Sequence, residues 1–212
     1  MIQVLIVDDH AIVRKGMKEI VSDTDDIIIT GEASNGQEAL SKIFNENFDV
    51  VILDIAMPDR SGIDILDQIK KEKPGLPVLM LSMYPEEQYA IRALKSGASG
   101  YLTKKSAPDE LIVAVRKTYQ GGKYISPSIA EKMADHLHAR DDNKLPHENL
   151  TDKEFQIMRM IAEGTRIKDI AAKLFLSDKT ISTYRSRILD KMGLKNNADL
   201  TIYALRHSLI IS

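Results

Sequence analysis

The 212-residue chain contains no cysteine. That absence excludes disulfides, thiolate catalysis and cysteine-ligated zinc, and it suits a reducing, cytoplasmic setting. No apolar run reaches the roughly 18 residues that suggest a membrane-spanning helix. The N-terminus, MIQVLIVDDH, has no basic region followed by a small-residue cleavage site, so no signal peptide is expected. Internal repeats and low-complexity segments are also missing. The net charge is only −2, yet it hides an asymmetry. Residues 1–149 hold 18 lysines and arginines against 24 aspartates and glutamates, a balance of −6, while residues 150–212 hold 11 against 7, a balance of +4. An acidic front and a basic back point to two domains with different partners, the basic one suited to a polyanion. Ordinary scatter of surface charge accounts for the split equally well, so charge alone decides nothing.

What is present is a regular alternation of element types. IQVLIV (2–7) reads as a buried strand, and 11–22 has helical spacing through Ile12, Met17 and Ile20-Val21. IIIT (27–30) is a second strand, and the Asn35-Gly36 turn leads into a helix through Ala39-Leu40 and Ile43-Phe44. DVVIL (49–53), PVLML (77–81) and GYLT (100–103) are further strands, followed by helices over 61–72, 86–96 and 108–119. Continuously apolar strands belong in a parallel sheet covered on both faces. Five such β-α units predict a doubly wound α/β domain with a five-stranded parallel sheet and ligand chemistry at the carboxyl ends of its strands.

Past Gly121-Gly122 the alternation stops. Residues 127–139 have the spacing of an amphipathic helix (Ile129, Met133, Leu137), and ARDDNKLPHEN (139–149) reads as an interdomain linker. From Leu150 the pattern is purely helical. Thr151 and Glu154 form a capped start, Phe155, Met158 and Ile161-Ala162 give an apolar stripe, and Gly164 ends the helix. Three more helices follow at about 167–174, from Ser177 to about Met192, and at about 197–207. The predicted organisation is 1–122, an intervening helix and linker at 123–149, and a small all-α domain of four helices at 150–212.

The chemistry converges on one edge of the predicted sheet. Asp8-Asp9 closes VLIV, Asp54 closes VVIL, and Lys104 follows GYLT. If these strands are neighbours, three carboxylates and an ammonium meet. Clustered carboxylates repel one another and favour a hard cation, typically Mg²⁺. A divalent ion plus a lysine is what an anionic phosphoryl group needs. His10, beside the acid pair, is set aside as an exposed strand-end residue, because carboxylate oxygens suit Mg²⁺ better.

The motifs VLIVDDH, VVILDIAMPDRSGID, VLMLS and GASGYLTKK, in that order, make the front domain resemble a response-regulator receiver domain of flavodoxin-like fold. Residues 150–212, with LFLSDKTISTYRSRILDKMGL, resemble a LuxR-type helix-turn-helix. The combination is similar to the NarL/FixJ class of two-component regulators. That resemblance implies phosphorylation of Asp54 by the phosphohistidine of a sensor histidine kinase. It implies Mg²⁺ held by Asp8, Asp9, Asp54 and the backbone carbonyl of Ala56, phosphate contacts from Ser82 and Lys104, and a switch role for Tyr101 swinging inward behind Ser82. Kinase choice is expected to depend on the first helix near Ile12, Arg14-Lys15 and Lys18-Glu19.

For the back domain the resemblance places the helix after Ser177 in the major groove of double-stranded promoter DNA. Ser182, Thr183 and Ser186 take groove-facing positions, Lys179, Thr180 and Tyr184 are placed for phosphates, and Arg187 points outward. Arg185 stands where the family often has an inward valine, so it is expected to snorkel out to a phosphate. A homodimer on two half-sites is expected, with Leu200, Tyr203 and Leu205 of the last helix serving either that dimer or the domain's own core. Two rival readings remain open. A phosphatase built on an aspartyl-phosphate needs an acid two residues after the nucleophile, where this chain has Ala56. A constitutive DNA-binding protein with a phosphate-independent receiver is disfavoured by the intact set Asp9, Asp54, Ser82 and Lys104.

Overall fold

The computed structural model describes residues 1–57, 60–83, 86–106, 108–127, 129–131, 133, 145–207 and 209–210. The chain divides into two compact units, Met1–His136 and Leu137–Ser212.

In the first unit β1 (Ile2–Val7), β2 (Ile27–Ala33), β3 (Val50–Asp54), β4 (Val78–Ser82) and β5 (Gly100–Thr103) form one sheet in the order β2-β1-β3-β4-β5. Every pairing is parallel. The helices α1 (Ala11–Ser22), α2 (Gly36–Asn45), α3 (Gly62–Glu72), α4 (Glu86–Lys95) and α5 (Pro108–Tyr119) connect or follow the strands. β3 and β4 are buried at every position, which is why they read as unbroken apolar runs. Ile6, Ile52, Leu79 and Leu102 pack with Met17 and Val21 of α1 and with Leu111 and Val115 of α5. α3 buries Ile63, Ile65, Leu66 and Ile69. The elements fall within about a residue of their expected places, except that β2 runs on to Ala33. It does so through a register shift at Val4/Leu5 and through Gly31, where a Cβ would stand 2.8 Å from the Phe48 ring.

The strand order reverses direction between β1 and β3, the switch point where such sheets bind ligands beyond their carboxyl ends. Val7 pairs with Leu53, so Asp8 and Asp54 emerge side by side. Ser82 pairs with Thr103, which brings Lys104 to the same edge.

The second unit contains α6 (Asp152–Ala162), α7 (Ile167–Lys173), α8 (Asp178–Met192) and α9 (Asn197–Arg206). A complete capping box starts α6: the Thr151 side chain accepts from the Glu154 N–H, and the Glu154 carboxylate accepts from the Thr151 N–H. Phe155, Met158, Ile170, Ile181, Ile188, Leu200 and Ala204 are fully buried and make up its core. Ser177 caps α8, and Gly193 ends it in the left-handed conformation at φ +64°. The turn from α7 to α8 adopts the same conformation at Phe175, φ +52°, without a glycine. A non-glycine residue there costs about 1–2 kcal/mol.

The helix and linker expected over 127–149 are described in part. Of the helix expected over 127–139, residues 127, 129–131 and 133 are described and helical, with Ile129 buried, while Leu137 lies outside the described residues. Of the linker expected over 139–149, residues 139–144 lie outside them, but Pro146–Asn149 form a turn of 3-10 helix. Proline presets φ there, and His147 Nδ1 meets Tyr203 Oη at 2.8 Å, which docks the turn on α9.

Candidate functional site

Three buried groups meet where β1, β3 and β5 end. Asp8 and Asp54 are 0% and 1% exposed, and Lys104, at 5%, reaches both. Its Nζ stands 2.8 Å from Asp54 Oδ2, as a hydrogen bond, and 2.6 Å from Asp8 Oδ2, as an ion pair without hydrogen-bond alignment. Asp54 Oδ1 accepts from the Ala56 N–H at 3.2 Å, and Asp8 Oδ1 accepts from the His10 N–H at 2.8 Å. Burial raises the Asp54 pKa above the carboxylate norm, with Lys104 opposing and Asp8 reinforcing the rise. Burial also works to depress Lys104, but Asp54 and Asp8 outweigh it and hold the ammonium above its usual value.

The remaining first-edge residues complete the arrangement. Asp9, exposed, faces His10, whose Nδ1 lies 2.8 Å from Asp9 Oδ1 and 3.2 Å from Asp8 Oδ1. Asp8, Asp9, His10 and Asp54 each offer one ligand atom, and these atoms all lie within 4.8 Å of one another. Three carboxylates make an oxygen-rich donor set that fits a small hard cation such as Mg²⁺. Ser82 and Tyr101 are wholly buried on the adjoining strands, whereas Met83 is exposed at the mouth. The loop after Asp54 folds back through a bridge between Ala56 and Ser61, and the Gly62 N–H bonds the Ile55 carbonyl at 2.9 Å. At Gly62 a Cβ would stand 2.1 Å from the Asp54 carbonyl oxygen, so any larger residue would force the backbone to shift.

In the second unit α8 presents a polar, basic surface. Lys179, Ser182, Thr183, Ser186 and Arg187 are exposed, and Thr180, Tyr184 and Arg185 are half-buried. The hydroxyls of Ser182, Thr183 and Ser186 donate back to the carbonyls of Asp178, Lys179 and Ser182, and Thr180 Oγ1 lies 2.8 Å from Ser177 Oγ. Arg185 differs from the expectation of a phosphate partner: its Nε donates to Asn197 Oδ1 at 2.6 Å. The start of α9 lies close enough for an amide to take the snorkelling guanidinium. The apolar stripe of α9 divides. Leu200 is core, Tyr203 is half-buried against His147, and Leu205 is 43% exposed beside Ile202 at 49%.

The family model "Response regulator receiver domain" matches residues 4–116, more than half of the chain. The chain belongs to the response regulator family. A second model, "Bacterial regulatory proteins, luxR family", matches residues 148–204. Curated relatives include the response regulator UvrY of Escherichia coli strain K12, 36% identical over 99% of this chain and 96% of its own. The response regulator GacA of Pseudomonas aeruginosa is 33% identical over 99% and 98%. Among solved structures, RcsB of Salmonella enterica serovar Typhimurium, bound to promoter rprA in the presence of phosphomimetic BeF3⁻, is 27% identical with a TM-score of 0.67, covering 95% of this chain and 97% of that one.

This response regulator therefore joins a receiver domain to a LuxR-type DNA-binding domain, and it is a NarL/FixJ-class regulator in architecture. Its family acts as phospho-acceptor and transcription factor and not as a conventional enzyme. No helix among the described residues is long and apolar enough to cross a membrane. His10, set aside as an exposed strand-end residue, is exposed, and its ring lies against both aspartates of the pair. One residue of the site was given no role in the reading of motifs. Gly62 sits eight positions after Asp54 at a helix start, where a turn glycine passes unremarked.

Proposed function

We propose that this response regulator takes a phosphoryl group onto Asp54 from the phosphohistidine of a sensor histidine kinase, and that the modification controls binding of a homodimer to promoter DNA. The observation that carries the reading is the single ammonium of Lys104 shared by two buried carboxylates beside a third. In the transfer an Asp54 carboxylate oxygen attacks phosphorus, the phosphorus–nitrogen bond breaks, and the kinase imidazole leaves. Lys104 opposes the effect of burial on the Asp54 carboxyl, and a carboxylate nucleophile needs no general base. Mg²⁺ held by Asp8, Asp9, Asp54 and the Ala56 carbonyl would neutralise charge on the transferring group. Lys104 then exchanges a carboxylate for the phosphoryl oxygens, Ser82 donates its hydroxyl to them, and Tyr101 packs behind it in its buried position. Ala56 supplies no acid two residues beyond the nucleophile, so self-dephosphorylation is slow.

The kinase docks on α1, whose Ile12 is exposed at the end nearest the acid pair. The output is α8 in the major groove. Ser182, Thr183 and Ser186 face bases, Lys179, Thr180, Tyr184 and Arg187 face phosphates, and Arg185 braces α9 while its remaining N–H groups approach the backbone. The functional limits are 1–122 for the receiver, 123–149 for the connection and 150–212 for the DNA-binding domain, in a cytoplasmic protein. Labelling with acetyl phosphate tests this. The wild type in Mg²⁺ is expected to take up close to one stable phosphoryl group, and Asp54→Asn none. Rapid multiple turnover would identify a phosphatase instead, and absence of label on the wild type with intact DNA binding would identify a constitutive regulator.

A further inference from the structure

Phe175 combines two features that an ordinary turn residue lacks. It adopts φ +52°, the positive-φ conformation that among the described residues is otherwise held by glycine. Its side chain is also 74% exposed. The turn needs that backbone conformation: the Leu176 N–H bonds the Ala171 carbonyl and the Phe175 N–H bonds the Ala172 carbonyl, which closes α7 around a left-handed residue. It does not need the ring. Glycine or asparagine would serve with less strain, and neither would hold a large apolar group in water. Both penalties fall on the free protein, and strained residues of this kind concentrate where something binds.

The surroundings indicate what binds. Phe175 lies two residues before Ser177, the N-cap of α8, and so continues the surface of the reading helix. Exposed lysines stand on either side of it in the chain, Lys173 and Lys179. A ring flanked in the chain by two lysines, with Asp178 the one acid between them, suits a polyanion better than an apolar protein partner. The short hydroxyls of Ser182, Thr183 and Ser186 are turned back onto the helix, so the larger reach comes from the turn.

We propose that Phe175 is a DNA-contacting residue whose ring presses on apolar surface at the groove edge, either a thymine methyl or a deoxyribose face, and anchors the N-terminus of α8. The proposal rests on α8 being the groove helix. The test uses full-length phosphorylated protein and a duplex that the wild type has selected from a random-sequence pool. Phe175→Gly and Phe175→Asn are expected to unfold at the wild-type temperature or above, yet to bind about tenfold more weakly with an unchanged salt slope. Phe175→Tyr, which keeps the ring, is expected to bind as the wild type does. Replacing thymine by deoxyuridine separates the two sources: a matching loss in the wild type assigns the methyl, and no loss assigns the sugar. Wild-type affinity in Phe175→Gly overturns the proposal, and lost transcription with wild-type affinity would give the ring to a protein partner instead. Lys179→Ala runs in parallel. If it weakens binding while Phe175→Gly does not, only the ring contact fails; if neither weakens it, the groove-helix reading fails as well.

Discussion

Lys104 serves two buried carboxylates at once, so its removal leaves both without a counterion. Lys104→Met is expected to destabilise the receiver by about 3 kcal/mol at pH 7, read from urea unfolding, with millimolar Mg²⁺ restoring part of the loss. A wild-type midpoint without Mg²⁺ would contradict the electrostatic account. Asp54 works in the opposite sense. Burial raises its pKa, so the folded chain binds this proton more tightly than the unfolded chain does. The ionised group therefore destabilises the fold at neutral pH, and that penalty fades as pH falls through the folded value toward the ordinary 3.8. Asp54→Asn is expected to unfold at higher urea than wild type at pH 7, with the gap narrowing toward pH 4; a constant gap would refute the assignment. Asp8, Asp54 and Lys104 were legible because each ends or follows an apolar strand. Arg185 was not, because its partner Asn197 is twelve residues away and nothing local announces it.

Elements were legible where the period was strong. β3 and β4 declare themselves because burial on both faces leaves only their last residues, Asp54 and Ser82, polar. β2 runs three residues beyond its apolar IIIT because its pairing with β1 continues through Gly31, a close approach to Phe48 that sequence spacing does not reveal. The turn at Pro146–Asn149 looked like linker because its anchor, Tyr203, arrives 56 residues later. α3 shows how an element positions chemistry. Its first residue, Gly62, lies against the Asp54 carbonyl, so Gly62→Ala is expected to cost about 2 kcal/mol and to slow phosphoryl uptake from acetyl phosphate. Unchanged stability and uptake would mean the loop has room that its geometry denies.

At the scale of the molecule, an α/β front and a helical back were legible in the sequence, and the structure holds its parallel sheet in Met1–His136 and its four-helix array in Leu137–Ser212. The sequence did not assign the two faces of α9, because Leu200 and Leu205 look alike until the core claims one of them. Leu205→Glu is expected to leave the fold intact, to reduce dimer formation in sedimentation, and to lower affinity for a two-half-site duplex by about tenfold or more. Unaltered sedimentation and affinity would remove α9 from the dimer. The seating of Gly62 against Asp54 has a mechanical consequence. Strand pairing holds the Asp54 backbone on one side and the returning loop blocks it on the other, so the peptide has no room to retreat. On the phosphorylation proposed above, the displacement would have to run forward, toward the buried Ser82 and Tyr101 on β4 and β5. Under that proposal the domain works as a one-way lever, with the direction of its stroke set by a missing side chain.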